Sequence, residues 1–296
     1  MSRTTILAAR VDGRPVSMGD ESFLEDRGLH YGDGLFETMI VRGGRVRFEA
    51  QHAARFAAGC DRLDLRCDSA AVFAEVRAFA AATGEGLVKL LVTRGIARVR
   101  GYAPAGDEVP RQVLLAYPPP PAAGASPASG STVAPAPASA TSPARFTLRR
   151  VAAVYGENPA LAGIKHLNRL EQVLARGEAQ RLGADEGLVC SSSGRLVSGT
   201  MSNVFLLDRH VLLTPALQRC GIAGVTRAVV LREAAAFGFE PREADVDPAL
   251  LDRAEAVLVT NVRFGLRAAT HVDGRILSSP PPALQALAAH LEALDA

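Results

Sequence analysis

Asn158-Pro159-Ala160-Leu161-Ala162-Gly163-Ile164-Lys165-His166-Leu167-Asn168-Arg169-Leu170-Glu171-Gln172-Val173-Leu174 sets one lysine, after an apolar and neutral approach, just ahead of an amphipathic helix. That amine stands out by scarcity. The chain holds 33 Lys plus Arg, and only Lys89 and Lys165 are lysines. A sequence that uses arginine wherever a surface charge suffices has kept an amine here. Unlike a guanidinium, an amine can lose its proton and become a nucleophile, as in Schiff-base formation. Lys89, in the strand-like Gly86-Leu-Val-Lys-Leu-Leu-Val92, is the counterweight: a rare lysine also serves as an ordinary charge.

Composition narrows the classes around that lysine. With 296 residues and 48% hydrophobic content, the chain can bury a large core and is expected to divide into two domains. A net charge of +2 without a basic run argues against nucleic acid as a partner. No stretch approaches a membrane span, and residues 1–10 hold too short an apolar run for a signal peptide. Cys60, Cys67, Cys190 and Cys220 show no metal-ligand pairing and read as free thiols in a reducing cytoplasm. The six histidines form no zinc signature, so no metal is expected.

The chain on either side of the lysine reads as α+β. Phe36–Arg42, Gly43-Gly44 and Arg45–Phe48 make a hairpin signal, and Asp26–Gly34 ahead of it reads as a sharply turning loop. Its glycine spacing is not the dinucleotide fingerprint. Helices are predicted over 49–63, with His52 and Arg55 on one face, and over 70–82. Strands are predicted over 87–93 and 112–117, with an arginine-rich loop between them. The small first domain then ends near residue 117. Residues 118–144 are rich in Pro, Ala and Ser and read as a flexible linker. The second domain, 145–296, opens with a strand over 146–154. A helix over 168–182 follows, with Leu170, Val173, Leu174 and Ala175 on one face and Gly183 ending it. Strands over 187–190, 195–197, 203–207 and 211–214 come next, then a helix over 228–237 and a buried strand over 255–260. A hairpin around Asp273-Gly274 and a helix over 283–294 complete the chain.

An amine nucleophile paired with pyridoxal phosphate needs a guanidinium and free helix-start N–H groups for the phosphate. Gly221-Ile-Ala-Gly-Val-Thr226 is such a start, Arg55 offers the guanidinium, and Thr260-Asn261 offers a second hydroxyl at a strand end. Together with Asp26-Arg27-Gly28, Gly32-Asp-Gly-Leu-Phe36, His52-x-x-Arg55, Arg100-Gly-Tyr102, Gly199-x-x-Ser-Asn-Val-Phe205, Thr214-Pro215 and Gly224-Val-Thr-Arg227, the lysine stretch resembles the fold-type IV pyridoxal-phosphate enzymes. The run Ala162–Leu174 is similar to the version found in the lyases of that family that act on 4-amino-4-deoxychorismate. The likeness spans nearly the whole chain outside the linker. Branched-chain and D-amino-acid aminotransferases share the frame. The branched-chain enzymes commonly carry a tyrosine five residues after the lysine, where this chain has Leu170.

The resemblance implies a two-domain α+β fold with a small N-terminal domain and a larger, barrel-like C-terminal domain, and a homodimer with its site between the domains. It implies that Lys165 holds pyridoxal 5'-phosphate and then acts as the proton-transfer base. Arg55, Val225, Thr226, Thr260 and Asn261 would bind the cofactor. Arg94, Arg98 and Arg100 with Tyr102 are candidates for the substrate's two carboxylates, a solvated loop being the competing account of those arginines. One departure concerns Ser198: where the family places a glutamate against the cofactor's pyridine nitrogen, this chain has a neutral hydroxyl. A carboxylate keeps that nitrogen protonated, so the ring can draw in electrons; a hydroxyl holds the proton less firmly. An elimination that gains an aromatic ring has its own driving force, so the departure favours a lyase over an aminotransferase. It equally permits a weak or non-catalytic relative.

Overall fold

Alternation along Gly34–Arg42 (β3) sends Leu35, Met39 and Val41 to one face, where they pack into a core with Phe56, Phe73, Val76 and Leu90. The computed structural model describes residues 8–15, 26–96, 101–119 and 145–294. All but the first two residues of the expected linker, and Arg98 and Arg100, lie outside them. β3 belongs to an antiparallel six-stranded sheet with Ala8–Val11 (β1), Arg14–Pro15 (β2), Arg45–Val46 (β4), Gly86–Thr93 (β5) and Arg111–Tyr117 (β6), in the order β2-β1-β6-β5-β3-β4. Glu49–Leu63 (α2) and Ser69–Thr83 (α3) supply the apolar stripes that cover its core face. Asp68 caps α3 by accepting from Ala70 N–H and Ala71 N–H. The segment expected as a loop before β3 contains a short helix, Arg27–Tyr31 (α1). Asp26 caps its start and left-handed Gly32 ends it.

The remainder folds around two five-stranded sheets. One has the order β12-β11-β10-β13-β14, from Asn203–Asp208 (β10), Val211–Pro215 (β11), Glu240–Ala244 (β12), Ala256–Asn261 (β13) and Gly265–Ala268 (β14). The other has the order β16-β15-β7-β8-β9, from Thr147–Tyr155 (β7), Glu186–Ser191 (β8), Leu196–Gly199 (β9), His271–Val272 (β15) and Arg275–Ile276 (β16). Leu148, Leu188 and Leu196 from one sheet meet Val204, Leu206, Val257 and Val259 from the other, a face-to-face core. Each such fully buried aliphatic stabilises by about 1.5–3 kcal/mol. Val225–Glu233 (α5), a 3-10 turn over Ala234–Phe237 and Pro282–Ala293 (α6) cover the outer face of the first sheet.

Leu170–Arg181 (α4) differs from expectation in which side faces the core. Leu170, Val173 and Leu174 are 76%, 63% and 67% exposed, while Ala175 and Ala179 are fully buried. The reason is close approach: a Cβ at Gly187 of β8 would lie 2.9 Å from that of Ala179. Only small residues fit between this helix and its sheet. β12 was not expected at all, because Glu240-Pro-Arg-Glu-Ala244 is polar; it is an edge strand, paired only with β11, in parallel.

The lysine stretch is an extended strap between the two halves of the molecule. Phe36 N–H donates to Lys165 O at 2.9 Å and Leu167 N–H to Gly34 O at 3.0 Å, an antiparallel bridge onto β3. On its other edge Gly163 N–H donates to Gly221 O and Ala223 N–H to Gly163 O, both at 3.0 Å. Gly34 makes the docking possible: a Cβ there would sit 2.3 Å from Val92 O and 2.9 Å from a Leu167 methyl.

Candidate active site

The strap fixes Lys165 where three environments meet. Its Nζ lies 4.3 Å from the centroid of the Phe36 ring, which also faces Lys89 Nζ at 5.3 Å. Both lysines of the chain therefore flank one aromatic ring. Burial, then the charge of Arg55, push the Lys165 amine down to about 7, with Glu37 opposing. At neutral pH a substantial fraction of this amine is unprotonated, the form that attacks a carbonyl carbon.

Glu37 was not singled out from the sequence, since one acidic residue in a strand carries no signal. It lies fully buried beneath α2. It accepts from His52 Nδ1–H at 2.7 Å and from Arg55 Nε–H at 2.8 Å, with a second bond from Arg55 Nη2. Burial would raise its pKa, but the charge of Arg55 and the bond from His52 hold it down at about 2. Held this way, Arg55 donates from Nη1 to Ala223 O at 2.9 Å, alongside the Gly221–Thr226 turn.

That turn leads into α5, whose start has no side-chain cap. A Cβ at Gly224 would lie 2.1 Å from Asn203 Oδ1, so the backbone there is open only because the residue is glycine. Val225 and Thr226 are buried, and Thr226 Oγ1 has no hydrogen-bond partner. Thr260, paired in register with Asn203, is buried and donates to Gly265 O at 2.8 Å. Asn261 is occupied in its own loop: its Oδ1 accepts from Arg263 N–H and Phe264 N–H, and its Nδ2 donates to Met201 O. A guanidinium, an uncapped helix start and an unpartnered buried hydroxyl match a phosphate dianion. With an amine near pKa 7 beside them, the residues fit a phosphorylated aldehyde.

Ser198 lies in β9, buried and donating to Gly199 O at 2.8 Å. The Tyr155 hydroxyl sits beside it, its ionisation suppressed by burial. A nearby carboxylate, Glu186, closes the Thr200–Ser202 turn by accepting from Thr200 N–H at 3.0 Å and from Ser202 Oγ at 2.8 Å.

On the side of the six-stranded sheet, a cavity of about 240 Å³ is lined by Arg27, Tyr31, Asp33, Tyr102, His166 and Asn168 among others. Tyr102 is exposed, and its ring stands 5.4 Å from that of Tyr31. Arg94 is buried with all three nitrogens bonded, to Asp33 at 2.8 Å, Asp64 O at 2.8 Å and Leu63 O at 2.7 Å. Asp33 also accepts from Arg27 Nε–H at 2.8 Å, and Arg27 pins Gly101 O and Tyr102 O. These two arginines brace the loop.

Known proteins resemble this chain over most of its length. The family described as amino-transferase class IV matches residues 34–272. The solved structure of 4-amino-4-deoxychorismate lyase from Pseudomonas aeruginosa is 38% identical, covers 97% of this chain and 100% of its own, and superposes with a TM-score of 0.83. An aminodeoxychorismate lyase of Vibrio harveyi is 28% identical over 252 residues, 82% of this chain and 84% of its own. A D-alanine aminotransferase of Listeria monocytogenes is 27% identical over 266 residues, 85% of this chain and 82% of its own.

Proposed function

The chain belongs to the amino-transferase class IV family, the fold-type IV pyridoxal-phosphate enzymes, and from that premise we propose that it is a 4-amino-4-deoxychorismate lyase. It releases pyruvate and leaves 4-aminobenzoate, a step toward folate. The observation that carries this reading is the full-length likeness to the Pseudomonas aeruginosa lyase at 38% identity.

When bound, pyridoxal phosphate supplies an electron sink conjugated to the carbon that bears the substrate's amine. The chain's own residues do the rest. Arg55, the start of α5 with Val225 and Thr226, and Thr260 hold the phosphate. Lys165 Nζ would hold the aldehyde carbon until the substrate's amine displaces it, and the freed amine, with its pKa near 7, would then take the proton from the ring carbon bearing the substrate's nitrogen. The ether C–O bond then breaks, the ring becomes aromatic, and the departing enolpyruvate gains a proton at its methylene carbon. Arg98, Arg100 and Tyr102 remain candidates for the carboxylates. Arg94 spends its three nitrogens on Asp33, Leu63 O and Asp64 O and has none left for a carboxylate.

The apolar Leu170, Val173 and Leu174 face of α4 supports a homodimer, and four free thiols support a reducing cytoplasm. No helix among the described residues is long and apolar enough to cross a membrane.

The second reading is an aminotransferase of the same fold, acting on branched-chain or D-amino acids. It draws on the D-alanine aminotransferase likeness, nearly equal in identity to that of the Vibrio harveyi lyase. Purified holoenzyme given 4-amino-4-deoxychorismate in a pyruvate-coupled assay separates the two. Pyruvate release supports the lyase. No pyruvate, together with conversion of the bound cofactor to its amine form by an amino acid alone, supports the aminotransferase.

A further inference from the structure

α2 ends in a turn that folds the chain back over the last residues of the helix. Asp64, left-handed at φ 47°, directs its N–H to Cys60 O and Asp61 O, and Leu65 N–H donates to Cys60 O at 2.9 Å. Two residues later Cys67 stands directly before Asp68, the cap of α3. Cys67 is thereby packed against the core cluster that contains Cys60, and the two thiols share a hydrogen bond. Both are free thiols. The other two cysteines lie singly: Cys190 packs against the core between the five-stranded sheets, and Cys220 sits in the cluster of Tyr155 and Ala175. A buried thiol that serves only as a small apolar residue needs no second thiol against it.

The pair is unequal in the way thiol oxidation requires. Cys60 is buried and Cys67 partly exposed. The hydrogen bond from Cys60 favours the Cys67 thiolate and lowers its pKa, against burial and the charge of Asp68. The same bond, then burial, raises the Cys60 pKa and keeps that proton in place. Asp68 already accepts from Ala70 N–H and Ala71 N–H, so the α3 start is not what holds the thiolate. Cys190 and Cys220 are pushed the other way by burial, Cys220 up to about 11. An accessible thiolate touching a second, protonated thiol is the arrangement of an attacking and a resolving cysteine.

We propose that Cys60 and Cys67 are a peroxide-sensitive pair that closes to a reversible disulfide. The inference stands apart from the reading of Lys165. The Cys67 thiolate attacks one oxygen of hydrogen peroxide; the O–O bond breaks, the sulfur becomes S–OH, and the departing hydroxide takes a proton from solvent to leave as water. The Cys60 sulfur then attacks the Cys67 sulfur and gives up its proton, and the S–OH oxygen leaves as a second water. The two thiols lose two electrons and the peroxide gains them. A small thiol reverses the bond by exchange, so in a reducing compartment it is transient. The loop that oxidation closes holds Leu63 O and Asp64 O, the two carbonyls bonded by Arg94, which shares Asp33 with Arg27. Leu63, Asp33 and Arg27 all line the cavity beside the strap, so the closed loop is part of that cavity's wall.

The test exposes the full-length protein to a small molar excess of hydrogen peroxide, alkylates the remaining thiols, and maps tryptic peptides without reductant. Cleavage after Arg55, Arg62, Arg66 and Arg77 places the two cysteines on separate peptides, 56–62 and 67–77. The expected result is a cross-link between these two peptides within one chain, lost on addition of dithiothreitol, with Cys190 and Cys220 recovered alkylated. Cys60→Ser is expected to give no cross-link and to leave Cys67 as a sulfenic acid trapped by dimedone. Cys67→Ser is expected to leave Cys60 as an unreacted thiol. Wild-type protein in which Cys67 passes to the sulfinic acid with no 56–62 to 67–77 link overturns the inference. A link between two chains, or oxidation of Cys190 or Cys220 ahead of Cys67, overturns it equally. The wild-type map decides by itself, so a variant that fails to fold does not rescue the proposal.

Discussion

Glu37 and Arg55 are joined through both carboxylate oxygens, Oε1 taking the Nε–H at 2.8 Å and Oε2 the Nη2, in a pair beneath α2. Glu37 directly follows Phe36, whose backbone N–H holds the Lys165 strap. One short piece of β3 thus aims Arg55, the guanidinium proposed to bind the phosphate, and seats the strap that carries Lys165. A bidentate pair of this kind fixes the guanidinium plane, which a lone arginine would not keep.

Glu37→Gln removes the carboxylate and leaves Arg55 buried without its counter-charge. The expected loss is about 3–5 kcal/mol of stability, read as a lower Tm. In the protein that remains folded, affinity for pyridoxal phosphate falls while affinity for pyridoxal, which lacks the phosphate, holds. An equal loss for both ligands would mean that Glu37 acts on the fold and not through Arg55. The pH dependence has a definite sign. The Glu37 pKa is depressed from the usual 4.5 to about 2, so its stabilisation is present above pH 4.5 and is lost as pH falls toward 2. The Tm gap between wild type and Glu37→Gln therefore narrows across that window.

Cofactor uptake by apoprotein will accelerate with rising pH and level off, with a midpoint near 7 set by the Lys165 amine. Stopped-flow absorbance gives the profile. Because Glu37 raises the Lys165 pKa, the midpoint moves lower in Glu37→Gln. A midpoint near 10 in wild type, as for an exposed lysine, would mean that burial does not tune this amine.

Ser198→Glu places a carboxylate beside Tyr155, where the chain has only a hydroxyl. The lyase reading predicts that transaminase half-reactions gain more from this change than pyruvate release does, because elimination leans less on a protonated ring. Single-turnover spectra and the pyruvate-coupled assay supply the two rates. A large gain in both would count against the argument that Ser198 favours elimination.

Leu174→Asp puts a charge on the apolar outer face of α4. Sedimentation is expected to show wild-type dimer and mutant monomer, with far-UV circular dichroism unchanged. A mutant that stays dimeric would place the contact elsewhere.

How far the sequence was legible follows from the physics of each element. α2 runs over Glu49–Leu63, the span its pattern predicted, because the Gly43-Gly44 turn and the change from strand to helix period are local signals. His52 and Arg55 fell on one face for the same reason. The partner that aims them did not show, since Glu37 acquires meaning only once β3 lies under α2. The outer face of α4 was misread because a run such as Leu170, Val173, Leu174 has the spacing of a core stripe. It faces outward because Ala175, Ala179 and Gly187 bring helix and sheet too close for large side chains.

The central claim is a covalent bond at Lys165, and borohydride reduction of protein incubated with pyridoxal phosphate, followed by peptide mass mapping, tests it most directly. The predicted result is one phosphopyridoxyl adduct on Lys165, absent from Lys165→Ala. A protein that stays colourless, or an adduct found on Lys89 in its place, would contradict the account.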